Sequence, residues 1–287
     1  MKLVSFQHGD RINAGVVQGD SVIDLGGEFP DMLSVIQAGD EGKERIQRIV
    51  SSRPGGMPLE DVQLLAPIPK PLRNVMCVGW NYLKHFEERV QRDIELPDHP
   101  TVFTKATTAV AGPFEDIPVT EELSREFDYE AEFAVIIGKP GRGIREEEAL
   151  DHVYGYTVAN DMSARSTQLR HGGQWFLGKS VDKSCPMGPW IVTKEEVPDP
   201  QNLDISCTLN GQVMQSSHTS LMIFPIRRII SEISRYMTLL PGDIILTGTP
   251  EGVGSRRNPP VFLKPGDVVE VAVSGVGQIK NRIVRQS

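Results

Sequence analysis

The first clear alternation of apolar and polar positions runs over residues 2–25, where Lys2 to Phe6, Asn13 to Gln18 and Ser21 to Leu25 predict a small meander turning at Gly19-Asp20. Leu33, Ile36, Ile46 and Ile49 then fall at helical spacing and predict short helices. Residues 51–58 have linker composition, and after a strand at Val62 to Leu65 comes a proline-punctuated run, Pro67 to Pro71. A soft boundary near residue 66 therefore separates a small N-terminal domain, 1–66, from a larger one, 67–287. In the larger part, Asn74 to Gly79, Val153 to Asp161 and Cys185 to Val192 read as strands, and Ile144 to Leu150 as a short helix. Ile205 to Ser217 reads as a hairpin about the turn-forming pair Asn210-Gly211. Met222 to Met237 places Ile226, Ile229, Ile230, Ile233 and Tyr236 at helical spacing and is assigned to the core. Leu240 to Gly254 reads as a strand feeding a glycine-rich loop, and two strands, Val268 to Val273 and Gln278 to Val284, close the chain.

One alternating segment carries chemistry. From Glu126 to Gly138, acidic residues alternate with apolar ones and give way to a β-branched run that stops at glycine, a strand pattern. In a continuous strand Asp128, Glu130 and Glu132 would share one face, about 7 Å from one to the next. The flanking Phe127, Tyr129, Phe133 and Val135 belong to a core, where unpaired carboxylates are costly. A hard divalent cation resolves that conflict, because it prefers carboxylate oxygens. An exposed acidic edge strand is the alternative, and the segment alone does not choose between them.

Other candidate groups surround this one in sequence. Trp80 to Glu88 reads as a helix on which His85 and Glu88, three apart, share a face; such a pair suits a general base and equally an ordinary surface contact. Residues 87–99 are charged without an apolar face, the composition of a lid that closes over a ligand. Asp161 ends a strand, either as the N-cap of the segment after it or as a further metal carboxylate. Lys179 lies in an apolar setting and needs a carboxylate or an anionic ligand. The loop after Thr247 lacks the Lys-Ser/Thr ending of a phosphate loop, and Pro250 spoils a dinucleotide turn, although its free N–H groups suit a carboxylate.

Composition narrows the partners. Thirty basic residues against 38 acidic ones give a formal charge of −8, which argues against nucleic acid or an anionic membrane. Cys77, Cys185 and Cys207 are odd in number and set among apolar residues, so free buried thiols in a reducing compartment are expected. No apolar run approaches about 18 residues and the N-terminus has no apolar leader, so a soluble, cytoplasmic protein is expected.

Taken together, Asn81-Tyr82 with His85 and Glu88, then Glu130 and Glu132, Asn160 to Arg165, Gly178-Lys179-Ser180, Pro186 to Pro189, and Pro241-Gly242-Asp243 through Thr247 to Pro250 resemble the fumarylacetoacetate hydrolase family over roughly residues 67–285. The N-terminal part resembles the small domain of its longer bacterial members, near the 2-hydroxyhepta-2,4-diene-1,7-dioate isomerases and diketo-deoxy-sugar-acid hydrolases. The resemblance implies an α+β, β-rich fold of mixed β-sandwich rolls, a homodimer, and Mg²⁺ or Mn²⁺ held by Glu130, Glu132 and Asp161. It implies a His85–Glu88 dyad on a lid near residues 80–99 that activates water, with Lys179 stabilising developing negative charge. Arg165 and Gln168 fall where the family contacts substrate or water, and Thr249 on the loop that binds a substrate carboxylate. Asp128 receives no role, and Trp80 stands where several members have Arg.

The implied substrate is a small 2-oxo acid from aromatic or sugar acid catabolism, chelated through carboxylate and keto oxygens, with the metal stabilising an enolate. C–C bond hydrolysis of an acylpyruvate or 2,4-dioxo acid is the leading expectation. Isomerisation of a hydroxydienedioate, or oxaloacetate-type decarboxylation, is the alternative, since each passes through the same enolate. Arg170 and His171 are candidates for a distal carboxylate or for solvated loop residues.

Overall fold

Strand Ala131–Ile137 lies at the centre of the chain's main sheet, and its residues show why. Phe133, Val135 and Ile137 enter one apolar cluster, while Ala134 and Ile136 enter another on the opposite face. A strand covered on both faces reads as a near-continuous apolar run, which is what the second half of the acidic segment does. The computed structural model describes residues 1–53, 55–89 and 95–286. Residues 90–94, inside the expected lid, lie outside the described residues.

The fold is mixed α+β. Across the main sheet the order is Met57–Pro58, Ser21–Asp24, Arg11–Gln18, Lys2–His8, Cys185–Thr193, Val153–Asn160, Ala131–Ile137, Ile244–Leu246, Val75–Gly79 and Thr101–Lys105. The N-terminal meander therefore joins the remainder edge to edge, with Lys2 opposite Val192 and Leu3 opposite Ile191. Helices Met32–Gln37 and Gly39–Ser52 supply Val35, Ile36 and Ile46 to the cluster on one face. On the other face lies a five-stranded sheet containing Asp204–Leu209, Gln212–His218, Val268–Val273 and Gly277–Arg285. Helix Ile226–Tyr236 adds Ile226, Ile229, Ile230 and Ile233 to the same cluster, the stripe its spacing predicts.

Three elements differ from expectation. The acidic segment is not one strand: it breaks at Tyr129-Glu130 into Phe127–Asp128, paired with Ser163–Ala164, and the central strand. Side chains replace the ladder at the break, Asn160 Oδ1 accepting the Glu130 N–H and Gln215 Oε1 the Ala131 N–H, each at 2.9 Å. Second, the helix expected from Met222 starts only after Pro225, because Asn81 bonds both the N–H and the C=O of Phe224 and fixes that segment as extended chain. Third, the short helix expected from Ile144 is a 3₁₀ segment at Glu146–His152. All three cysteines are free and buried. No described helix is long and apolar enough to cross a membrane.

Candidate active site

Glu130, Glu132 and Asp161 converge, offering carboxylate oxygens that lie within 4.8 Å of one another, and all three are buried. The central strand delivers Glu132 directly and Glu130 from the break before it. Asp161 follows the neighbouring Val153–Asn160 strand, and its N–H donates to the Glu130 carbonyl at 2.9 Å. Asp161 is not an N-cap, since the next helix begins at Arg165. The exposed-edge reading of Glu130 and Glu132 is likewise excluded by their burial, Glu132 on a central strand and Glu130 at the break before it.

Lysines and an arginine compensate the carboxylates. Lys179 Nζ donates to Glu130 Oε2 at 2.6 Å and to Asp161 Oδ2 at 2.7 Å. Lys105 Nζ donates to Asp161 Oδ1 at 2.7 Å and to the Met162 carbonyl at 3.0 Å, and it is fully buried. Arg165 bridges Glu130 Oε1 at 2.6 Å and Asp128 Oδ2 at 2.8 Å. Burial alone would raise the Glu130 carboxyl, but Lys179 and Arg165 outweigh it and hold the group down at about 2. Glu132 is pushed well above the usual carboxylate range by burial and by Asp161 and Glu130 beside it. Burial works against the Lys179 ammonium, yet Asp161 and Glu130 raise its pKa. The environment thus drives two neighbouring carboxyls apart, a mark of functional sites.

The donor set fits a hard divalent cation. Four buried carboxylates, Asp128 included, face three cations, Lys105, Arg165 and Lys179, a formal excess of one carboxylate that either a proton on Glu132 or a divalent cation offsets. A carboxylate carries about four lone-pair sites, so Glu130 and Asp161 retain capacity beyond their lysine bonds. Glu132 accepts the Gly248 N–H through Oε2 and has no protein hydrogen bond at Oε1 among the described residues. Asp128 belongs elsewhere: it accepts the N–H groups of Gly254 at 2.7 Å and Ser255 at 3.0 Å, as well as Arg165.

Glu130, Glu132, Arg165 and Lys179 line a cavity of about 740 Å³ together with His85, Gln168 and Thr249. His85 Nδ1 meets Glu88 Oε2 at 3.0 Å, leaving Nε2 for a ligand. Gln168 Oε1 accepts Arg165 at 3.1 Å, and Thr249 Oγ1 accepts Gln215 at 2.8 Å. Trp80 also lines the cavity, its ring edge-on to Trp175 at 4.4 Å. Arg170 and His171 are exposed and do not line it. Lys105 and Arg256 are missing from the sequence reading. Lys105 ends a five-residue strand, where lysine ordinarily reaches solvent, and the sole sequence trace of Arg256 is the Arg256-Arg257 pair after the glycine-rich loop.

Comparison with known proteins adds to this geometry. The family model for the fumarylacetoacetate (FAA) hydrolase C-terminal region matches residues 74–284, and one described as Rv2993c-like, N-terminal, matches residues 1–67. The Xenopus laevis protein named oxaloacetate tautomerase fahd2, mitochondrial, is 41% identical, covering 99% of this chain and 90% of its own. Oxaloacetate tautomerase YisK of Bacillus subtilis is 45% identical over 78% of this chain and 74% of its own. Among solved structures, a putative HpcE protein from Mycobacterium smegmatis superposes with a TM-score of 0.90 at 35% identity, covering 100% of both chains. Maleylpyruvate hydrolase from Sphingobium sp. SYK-6, in complex with manganese(II) and pyruvate, superposes with a TM-score of 0.83 at 30% identity, again over 100% of both.

Proposed function

The chain belongs to the fumarylacetoacetate hydrolase family, and from that premise we propose that it is a divalent-metal-dependent tautomerase that interconverts the keto and enol forms of oxaloacetate or a similar small 2-oxo acid. The observation that carries enolisation is one cavity lined by His85, whose Nδ1 is held by Glu88, and by Glu130 and Glu132, whose carboxylates cluster with that of Asp161. The choice of tautomerisation rests on relatives of that name aligned along nearly the whole chain.

Glu130, Glu132 and Asp161 would hold Mg²⁺ or Mn²⁺, which when bound would supply Lewis-acid chemistry toward a 2-oxo acid. His85 Nε2 takes the proton from C3, and Glu88 stabilises the imidazolium that results. Returning that proton to the keto oxygen completes the exchange, with no C–C bond broken. Lys179 adds a fixed positive charge beside the same oxygens. Thr249 and Gln168 orient the substrate, and the apolar walls at Trp80 and Trp175 limit water. A homodimer of two-part subunits, 1–66 and 67–287, belongs to the same proposal, as does a cytoplasmic location.

A second reading, C–C hydrolysis of an acylpyruvate, is favoured by the likeness to maleylpyruvate hydrolase along the whole chain. There His85 would deprotonate water instead of C3. The test is to follow loss of the enol absorbance of oxaloacetate with Mg²⁺ or Mn²⁺ present, alongside EDTA and Glu130→Ala controls, and to assay maleylpyruvate in parallel. Acceleration abolished by both controls supports the tautomerase; cleavage of maleylpyruvate without it moves the protein to the hydrolase reading.

A further inference from the structure

Among the described residues, three fully cationic side chains line the cavity: Arg165, Lys179 and Arg256. Arg165 is committed to Asp128 and Glu130, and Lys179 to Glu130 and Asp161. Arg256 has no side-chain hydrogen bond or ion pair among the described residues, and Glu126, which lines the same cavity, does not pair with it. A guanidinium left uncommitted beside a ligand cavity is a ready fork for a carboxylate.

The adjoining residue supplies the contrast. Arg257 donates to the Met214 carbonyl at 2.8 Å and also reaches the Gly252 carbonyl, so it ties the loop down. Buried Asp128 accepts the N–H groups of Gly254 and Ser255, and the Arg256 N–H donates to the Val253 carbonyl at 3.1 Å. Glycine is required at 254, where a Cβ would fall 1.9 Å from the Val261 carbonyl oxygen. The backbone under Arg256 is therefore held from both sides while its side chain is free to meet a ligand. Much of the remaining wall is aromatic, including Trp80, Phe103, Trp175 and Phe262, and carries no charge to pair with a second carboxylate. Ser255 adds a hydroxyl beside Arg256.

On the reading of a 2-oxo acid enzyme given above, we propose that Arg256 binds the second carboxylate of a dicarboxylic 2-oxo acid, and so makes the site prefer dicarboxylates over monocarboxylates of equal length. The first carboxylate stays at the acidic cluster and the distal one reaches the Gly254–Arg256 turn. Because Arg256 is exposed, water screens part of the interaction.

The test compares oxaloacetate with 2-oxobutanoate, its monocarboxylic analogue of equal length, on Mn²⁺-loaded protein. Arg256→Gln should raise the oxaloacetate KM about tenfold, the scale of one charge-assisted hydrogen bond, with most of the loss in KM. Inhibition by 2-oxobutanoate should be unchanged, and Arg256→Lys should recover part of the loss. An equal effect on both acids, or none on either, overturns the proposal. Calorimetric binding of the two acids separates this inference from the reaction. Tighter, Arg256-dependent binding of oxaloacetate without enolisation supports the residue and sinks the tautomerase; enolisation with no Arg256-dependent preference does the reverse.

Discussion

The Glu88 carboxylate accepts the Gly252 backbone N–H at 2.9 Å, tying helix Leu83–Arg89 to the glycine-rich loop. The other oxygen of the same group holds His85 Nδ1. One side chain thus seats the helix and orients the base, so the two cannot be set independently. Gly252 suits this contact because its φ is +95° and a Cβ would fall 2.3 Å from the Met214 carbonyl oxygen.

Glu88→Gln separates these two jobs. The amide oxygen can still accept from Gly252, but the charge that stabilises the His85 imidazolium is gone. The turnover number should fall about 100-fold, the low end for general acid–base catalysis, while the melting temperature stays near that of the parent. A large loss of melting temperature with little change in turnover would assign Glu88 to structure alone.

Glu132 links metal binding to protons. Its carboxyl is raised well above the ordinary range in the metal-free site, by burial and by Asp161 and Glu130, so the folded protein holds a proton there that the unfolded chain releases. Since the folded state binds more protons, metal-free stability falls as pH rises above the ordinary carboxylate range. A divalent cation displaces that proton. Titrating Mn²⁺ in buffers of different ionisation heat should show proton release on binding, and affinity should weaken as pH is lowered. No proton release, or release unchanged in Glu132→Gln, sinks this account.

Asp128 is predicted to matter for folding and for the loop together. It is fully buried and satisfies two loop amides as well as Arg165. Asp128→Ala orphans those donors and should cost about 3 kcal/mol, or roughly 10 °C of melting temperature. Asp128→Asn, which keeps one acceptor, should lose less in a thermal melt.

How far the sequence discloses this site depends on what each residue's position requires. Glu130, Glu132, Asp161 and Lys179 stand in local patterns, and the expected face-sharing of Glu130 and Glu132 agrees with their convergence. Asp128 breaks the pattern because Asn160 and Gln215, distant in sequence, replace the ladder at Glu130 and Ala131. The meander, the 205–217 hairpin and the core helix are legible from local periodicity. The edge-to-edge joining of Lys2–His8 to Cys185–Thr193 is not, since no local signal encodes a pairing across more than 180 residues.

Lys105 shows what long-range placement does to charge. It is buried against Asp161, which also accepts Lys179 and lies within 4.8 Å of Glu130 and Glu132. Lys105→Met keeps the volume but leaves an uncompensated buried carboxylate, a change that typically costs about 3–5 kcal/mol. A divalent cation supplies positive charge to the same cluster, and binding the folded form alone adds stability in proportion to the logarithm of its excess over Kd. The variant should therefore melt far below the parent in EDTA and much closer to it in Mn²⁺, with Mn²⁺ bound at least as tightly as by the parent. An equal deficit with and without the ion would mean that Lys105 serves packing only, and that the charge balance assigned to the four carboxylates is wrong.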